Sequence, residues 1–225
     1  MDISITFDIE TIPWQKQFTA AQQDLFNKEF TETKTKKYGE KELSEEELND
    51  LEILVKSVNP YLGEIVVIGI YITDNKREEL IALDGNEFDI LSKFWNIIDG
   101  FNGTFVSFNG LQFDVPFIIK RSMYHNIKPT NNNFLNLRKY STYPHFDVKY
   151  IMGNFNTYAI GTLDQLCDFL NIESPKNGDV KADSVFLNYI EGKIKLIKEY
   201  CLRDVKATYE CYKRIKNYQY NIFIK

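Results

Sequence analysis

The chain has 225 residues, of which 44% are hydrophobic and 15% aromatic, which is enough to build one domain with a substantial core. Its net charge of −5 argues against a protein that grips nucleic acid by bulk positive charge, but not against a site of carboxylates that bound cations neutralise. No apolar run approaches the roughly 20 residues needed to cross a bilayer, and the N-terminus lacks a signal-peptide pattern, so we expect a cytoplasmic protein without membrane contact.

The first quarter of the sequence predicts one strand followed by a helical insertion. Residues 3–10 alternate in polarity as a strand does, which places Asp8 and Glu10 on the same face. Residues 14–60 differ in composition, because they are polar and rich in Lys, Glu, Gln and Thr. Two capping-box sequences within this stretch predict two helices.

The remainder predicts an α/β domain. Strands are predicted at 64–73, 79–83 and 104–108, and helices at about 87–99, 114–124, 163–171, 181–191 and 193–217. Residues 125–145 lack periodicity and are predicted to be mostly loop, and we assign His145, Phe146 and Asp147 a structural role. Because strands come early and helices accumulate late, we expect a central mixed sheet with helices on both faces, and one domain over residues 1–225.

The sequence has three cysteines, Cys167, Cys201 and Cys211. Their number is odd, and each falls in the apolar pattern of a predicted helix. They are therefore predicted to be reduced thiols of the core, and neither disulfides nor metal ligands.

Three short acidic segments stand out. The first is residues 7–11, Phe-Asp-Ile-Glu-Thr, on a strand apolar enough to be central, where charge is rare unless it is used. The second places Asp114 at the start of a helix after a buried strand, and the third places Tyr200 and Asp204 one turn apart in the last helix. Each alone has a plainer explanation: a solvent-facing strand end, a helix N-cap and a boundary charge on an amphipathic helix.

Together, in the order Asp-x-Glu, Asn-x-x-x-Phe-Asp and Tyr-x-x-x-Asp, these segments resemble the 3′–5′ exonucleases of the DEDD superfamily, in the branch with a tyrosine. The closest resemblance is to the exonuclease domain of family B DNA polymerases and its free-standing relatives. Residues 162–176 and 200–208 also look like that group, whereas the resemblance breaks down over residues 14–60. The sister branch has a histidine five residues before the last aspartate, where this chain has Glu199.

The resemblance implies a ribonuclease-H-like fold in which Asp8, Glu10, Asp114 and Asp204 bind metal and Tyr200 completes the catalytic set. Crowded carboxylates cannot all ionise without compensation, and ligation by oxygen alone suits Mg²⁺ or Mn²⁺. Two such ions would clamp the scissile phosphate between them. The implied activity removes nucleotides singly from a single-stranded 3′ end and releases 5′-mononucleotides.

The resemblance also implies that Asn109 and Phe113 contact the terminal nucleotide, although core packing explains Phe113 equally well. Thr11, next to the first acidic pair, and Lys176, on a predicted loop, are further candidates for substrate contact. The lysines within residues 34–41 form either a solvated helix face or a flap that contacts phosphates. DNA is the favoured substrate, but no motif reads the 2′ position, so RNA stays open. A proofreading role would require a replication or repair polymerase acting in trans. Two other functions stay open: a binding module that has lost catalysis, and a structure-specific endonuclease.

Overall fold

The computed structural model describes residues 3–74, 78–156, 161–175 and 184–218. Within these ranges lies a five-stranded mixed sheet with the spatial order β3-β2-β1-β4-β5. The strands are β1 (Ser4–Pro13), β2 (Gly63–Thr73), β3 (Glu78–Asp84), β4 (Thr104–Ser107) and β5 (His145–Asp147). Because β1 pairs antiparallel with β2 and parallel with β4, the first strand of the chain lies at the centre of the sheet.

Helices cover both faces of this sheet. They are α1 (Ala20–Tyr38), α2 (Glu45–Ser57), α3 (Glu87–Ile97), α4 (Asp114–Tyr124), α5 (Val148–Met152), α6 (Leu163–Leu170), α7 (Val185–Ile190) and α8 (Ile194–Asn217). On one face, α3 and α4 cover a core rich in aromatic rings that includes Phe7, Phe94 and Phe134. On the other face, α8 packs across β1 and β2. In the described parts of the chain, no helix combines the length and apolar character needed to cross a membrane.

A buried ion pair joins α3 to α4. The Glu87 carboxylate accepts hydrogen bonds from Arg121 Nη2 at 2.6 Å and from the Ile65 N–H at 2.8 Å. The Arg121 guanidinium also lies 4.1 Å from the centroid of the Trp14 ring. His125 Nε2 also lies 2.8 Å from the Glu87 carboxylate. Breaking a buried ion pair by removing one partner typically costs about 3–5 kcal/mol. The ion pair therefore holds α4 against α3, and with α4 it holds Asp114, the first residue of that helix.

Residues 14–60 contain the two helices predicted for the insertion. The capping boxes at Thr19 and Ser44 both form, with each hydroxyl accepting a backbone N–H of the first helical turn. α2 buries Leu51 and Val55, whereas α1 has no buried residue among its 19. Because α1 buries so little apolar surface, we expect it to open more easily than the sheet.

The predicted strands and helices are confirmed to within a few residues, but β5 and α5 are not predicted. A strand of three residues and a helix of five are too short to show a period. The structural role predicted for residues 145–147 is confirmed, because the Asp147 carboxylate caps α5 by accepting the Tyr150 N–H at 3.1 Å. The helix predicted at 181–191 is described from Val185 onward as α7; residues 181–183 lie outside the described ranges.

Candidate active site

Asp8 and Glu10 lie on β1, on the face of the sheet that α8 covers. In the register of the sheet, Asp8 is opposite Gly69 of β2 and Glu10 is opposite Val67. The register shifts directly after Glu10, where β2 has one extra residue, Val66. Such bulges increase the local twist of a strand and re-aim its side chains. Glu10 is 7% exposed and Asp8 is half-buried, so both carboxylates lie at the inner end of a cleft.

Asp114 reaches β1 from the edge that pairs with β4, opposite the edge that pairs with β2. The pairing of β1 with β4 ends at Thr6, so the backbone of β1 beyond that point has no strand on this side. The first residue of α4 takes this place, and its carboxylate Oδ1 accepts the Ile9 N–H at 3.0 Å. Asp114 is 2% exposed. The segment before α4 turns sharply through Asn109, whose φ of 68° lies in the left-handed region.

α8 brings Tyr200 and Asp204 to the same place. The helix can lie close to β2 because Gly69 has no side chain: a Cβ there would lie 2.8 Å from Cys201 Sγ and 2.9 Å from Val205 Cγ2. Tyr200 and Asp204 are one turn apart, and the tyrosine hydroxyl donates a hydrogen bond to the Asp204 carboxylate. The close approach of α8 therefore places both side chains beside Asp8.

Cys201 contacts the carboxylates directly. Its thiol lies 3.7 Å from Asp8 Oδ2 and 3.6 Å from the Asp8 carbonyl oxygen, and it can donate to either. Ligand atoms of Asp8, Glu10 and Cys201 all lie within 4.8 Å of one another. The prediction of a buried free thiol is confirmed. Its contact with Asp8 is not predicted by the sequence, because residue 201 belongs to the apolar stripe of α8, which by itself gives no partner.

The electrostatics of the cluster favour protons or cations. Burial, and then the neighbouring carboxylates, raise the pKa of Asp8 and of Glu10 well above the usual range for such groups. Burial is also the main reason that the pKa of Asp114 is raised to about 7, with a smaller contribution from Asp147 and Asp204. The ionised cluster would therefore carry negative charge that its surroundings do not neutralise, so it favours bound protons or a bound cation.

This donor set fits divalent cations of the Mg²⁺ or Mn²⁺ kind. The four carboxylates provide hard oxygen ligands, and a bound cation would compensate the charge that otherwise drives these groups towards protonation. The side chains that would hold it are those of Asp8, Glu10, Asp114 and Asp204. The Tyr200 phenol differs from them, because burial and the nearby Asp204 charge raise its pKa and keep it neutral.

These side chains lie at a cleft of about 560 Å³. Its lining comes from four regions: β1, the insertion, Phe113 at the start of α4, and the α7–α8 side. The lining residues are Asp8, Ile9, Glu10, Thr11, Lys37, Tyr38, Asp50, Leu51, Ile53, Leu54, Ser57, Val58, Phe113, Val185, Phe186, Tyr200 and Asp204. Asp114 is buried next to two of them, since it follows Phe113 in the chain and binds the Ile9 backbone.

The residues expected to contact substrate have different positions. Thr11 and Phe113 line the cleft, and the ring of Phe113 also packs against Phe117 at 5.6 Å between centroids, so it has access to both substrate and core. Asn109 does not itself line the cleft, but its carbonyl oxygen accepts the N–H of Phe113 at 3.1 Å. Its own N–H donates to Asp147 Oδ1 at 3.0 Å, and its buried Oδ1 has no hydrogen-bond partner among the described atoms. Lys176 lies outside the described residues.

Comparison with known proteins gives three findings. A model of the family described as "predicted 3′–5′ exonuclease related to the exonuclease domain of PolB" matches residues 58–223. An uncharacterized protein of Methanocaldococcus jannaschii is 30% identical over 173 residues, which are 72% of this chain and 92% of that protein. The family B DNA polymerase of Pyrobaculum calidifontis matches in structure with a TM-score of 0.63 and 15% identity over 98% of this chain. The chain spans only 25% of that polymerase, and at this identity the match concerns the fold. The predicted α/β, ribonuclease-H-like fold is thereby confirmed.

Proposed function

Because the chain belongs to the family of predicted 3′–5′ exonucleases related to the exonuclease domain of PolB, we propose that it hydrolyses single-stranded nucleic acid from the 3′ end. The products would be 5′-mononucleotides, and DNA is the favoured substrate. The observation that carries this proposal is the convergence of Asp8, Glu10, Asp204 and Tyr200 on one cleft, with Asp114 held against β1 beside it. These five side chains come from three elements that are distant in sequence.

The four carboxylates would hold two divalent cations, Mg²⁺ or Mn²⁺. Bound in such a site, these ions neutralise the phosphate, acidify the attacking water and stabilise the leaving oxygen. Support comes from the raised pKa values of Asp8 and Glu10, which reflect burial and mutual repulsion in the absence of a counter-charge. The family resemblance implies that Asp8 would be a ligand of both cations.

Tyr200 would act as a hydrogen-bond donor. Burial raises the pKa of its phenol, so at neutral pH the hydroxyl keeps its proton and cannot serve as a general base. The hydroxyl donates to Asp204 in the structure, which fixes the orientation of that carboxylate. The hydroxyl oxygen can also accept a hydrogen bond, so it remains able to orient a water molecule in the cleft.

The test is a product ladder from a 5′-labelled single-stranded oligonucleotide, in DNA and RNA versions, with Mg²⁺, with Mn²⁺ and with EDTA. We expect stepwise shortening from the 3′ end with either ion and none with EDTA. Asp8→Ala should remove nearly all turnover, whereas Asp168→Ala, an exposed aspartate on α6, should leave it unchanged.

Two outcomes would contradict the proposal in different ways. Cleavage of a circular single strand would indicate an endonuclease, because an exonuclease has no end on which to begin. Tight binding of the oligonucleotide without cleavage under any of the ion conditions would indicate a binding module. A proofreading role in trans adds a further expectation, which is faster removal of a mismatched than of a matched 3′-terminal nucleotide from a primer.

A further inference from the structure

The wall of the cleft opposite the carboxylates is built by the insertion. The C-terminal end of α1 contributes Lys37 and Tyr38, and α2 with the residue after it contributes six more lining residues. These six are Asp50, Leu51, Ile53, Leu54, Ser57 and Val58. One side of the cleft is therefore acidic and rigidly held in the sheet, and the other belongs to a helical hairpin with little buried surface.

The insertion side of the cleft is largely apolar. Leu51, Leu54 and Val58 follow each other at helical spacing and form one stripe along α2 and its C-cap. Leu51 is buried, but Leu54 is 41% exposed and Val58 is 48% exposed, so the stripe continues beyond the protein core into the cleft. On an ordinary amphipathic helix such residues are covered. An apolar surface that borders a functional cleft indicates a ligand with an apolar face.

The lysines of the insertion are mostly directed elsewhere. Of the cluster at residues 34–41, Lys37 is the member that lines the cleft. Lys41 pairs with Glu47 at 2.8 Å on the exposed surface. A wall that gripped phosphates would present several cations, because phosphate affinity grows with their number. This wall instead presents one lysine, whose charge Asp50 offsets, and otherwise Ser57 with apolar and aromatic side chains.

We infer that the wall formed by α2 and the end of α1 receives the bases of the 3′-terminal nucleotides, while the phosphates face the carboxylate side. This inference rests on the proposed function, and it concerns how that function selects its substrate. A nucleotide has the same division as the cleft, with a charged phosphate on one side and an apolar ring on the other. Contact with base faces is independent of sequence but requires unpaired, accessible bases, so the wall would favour a single strand over a duplex end.

The experiment compares two labelled oligonucleotides of equal length and charge. One is oligothymidylate, and the other has abasic residues at its three 3′-terminal positions. Binding is followed by fluorescence anisotropy in EDTA, where no turnover occurs, with Leu54→Ser/Val58→Ser as the test variant. Leu137→Ser is the matched control, because Leu137 is 42% exposed and lies apart from the cleft lining. The exposure of the substituted side chains keeps the effect on folding small, and a thermal melt of each variant checks it.

We expect the wild-type protein to bind the base-bearing strand about tenfold or more tightly than the abasic strand, within the range found for base contacts in single-strand binders. The double variant should lose most of this difference, and Leu137→Ser should keep it. Lys37→Gln should weaken both strands equally, since it removes a charge that does not distinguish bases. Equal wild-type affinity for the two strands, no measurable binding of either, or an undiminished preference in the double variant would overturn the inference.

This outcome is distinguishable from failure of the proposed function. Binding in EDTA does not depend on cleavage. A preference for the base-bearing strand that depends on Leu54 and Val58 would therefore support base binding at this wall, even if the protein cleaved no oligonucleotide. A protein that degrades the oligonucleotide normally but ignores the presence of bases would keep its proposed function and lose only this inference.

Discussion

Gly69→Ala is the substitution that most directly tests how the fold positions the candidate site. Gly69 lies on β2 opposite Asp8, and α8 passes over it. A methyl group at this position would lie 2.8 Å from Cys201 Sγ and 2.9 Å from Val205 Cγ2. Both distances are far below the roughly 3.5–4 Å of a favourable contact, so α8 or β2 must shift by roughly half an ångström or more. A shift of α8 also moves Asp204, because it is the residue directly before Val205 and three residues after Cys201.

Two magnitudes follow from this displacement. Overpacking of a filled core costs about 1–3 kcal/mol of folding free energy. Misplacement of catalytic groups by about 1 Å can reduce a rate by about 100-fold. We therefore expect Gly69→Ala to remain folded, with a lower melting temperature, and to lose about 10- to 100-fold in turnover together with a weaker affinity for Mn²⁺.

The assay combines thermal unfolding, single-turnover cleavage and calorimetric titration with Mn²⁺. Cys201→Ala in the Gly69→Ala background removes the shortest contact but leaves Val205 in place, so it should restore part of the activity; Cys201→Ala alone serves as the control. A stable Gly69→Ala protein with full turnover would refute the reasoning. So would a protein that loses stability but keeps its rate and its Mn²⁺ affinity, because the position of α8 would then not govern the site.

Three further predictions follow from the same geometry. The pKa of Asp114 is raised in the folded state, to about 7, from about 4 in the unfolded chain. The folded protein therefore binds more protons between these values, so metal-free stability should fall as pH rises from about 4 to about 7. Mg²⁺ should then raise the melting temperature more at pH 7.5 than at pH 5, and an equal rise at both would contradict the assignment. Tyr200→Phe, which deletes only the hydroxyl, should reduce single-turnover cleavage by about 10- to 1,000-fold while Mn²⁺ affinity barely changes. Asp204→Ala should reduce the cleavage rate further, because it removes a proposed metal ligand. Full activity of the phenylalanine variant would make Tyr200 a packing residue. Arg121→Met should lower the free energy of unfolding by about 3–5 kcal/mol in urea titrations, because it leaves the buried Glu87 carboxylate without its guanidinium partner. The His125 ring and the Ile65 N–H, each 2.8 Å from that carboxylate, would remain, and a loss below about 1 kcal/mol would mean that they compensate its charge.

Local patterns in the sequence are sufficient to predict the elements that hold the candidate site. The alternation on β1 assigns Asp8 and Glu10 to one face because side chains in a strand alternate between two faces. The capping boxes predict the two insertion helices because capping is a contact between residues three apart. The spacing of Tyr200 and Asp204 places them on one helix face for the same kind of reason. The resemblance to a family then predicted which carboxylates belong together.

Only the tertiary structure decides the distances between these elements. The contact of Cys201 with Asp8, the closeness that Gly69 allows, and the place of Asp114 on the open edge of β1 each depend on the packing of segments far apart in sequence. The role of the insertion is decided in the same way: its helices are predictable, but which side of α2 faces the carboxylates depends on how the hairpin folds back on β1. A sequence pattern records which face of its own element a side chain occupies. It contains no local signal for which residues of other elements pack against that face, because those contacts are set by strand register and by the size of side chains on the opposing element.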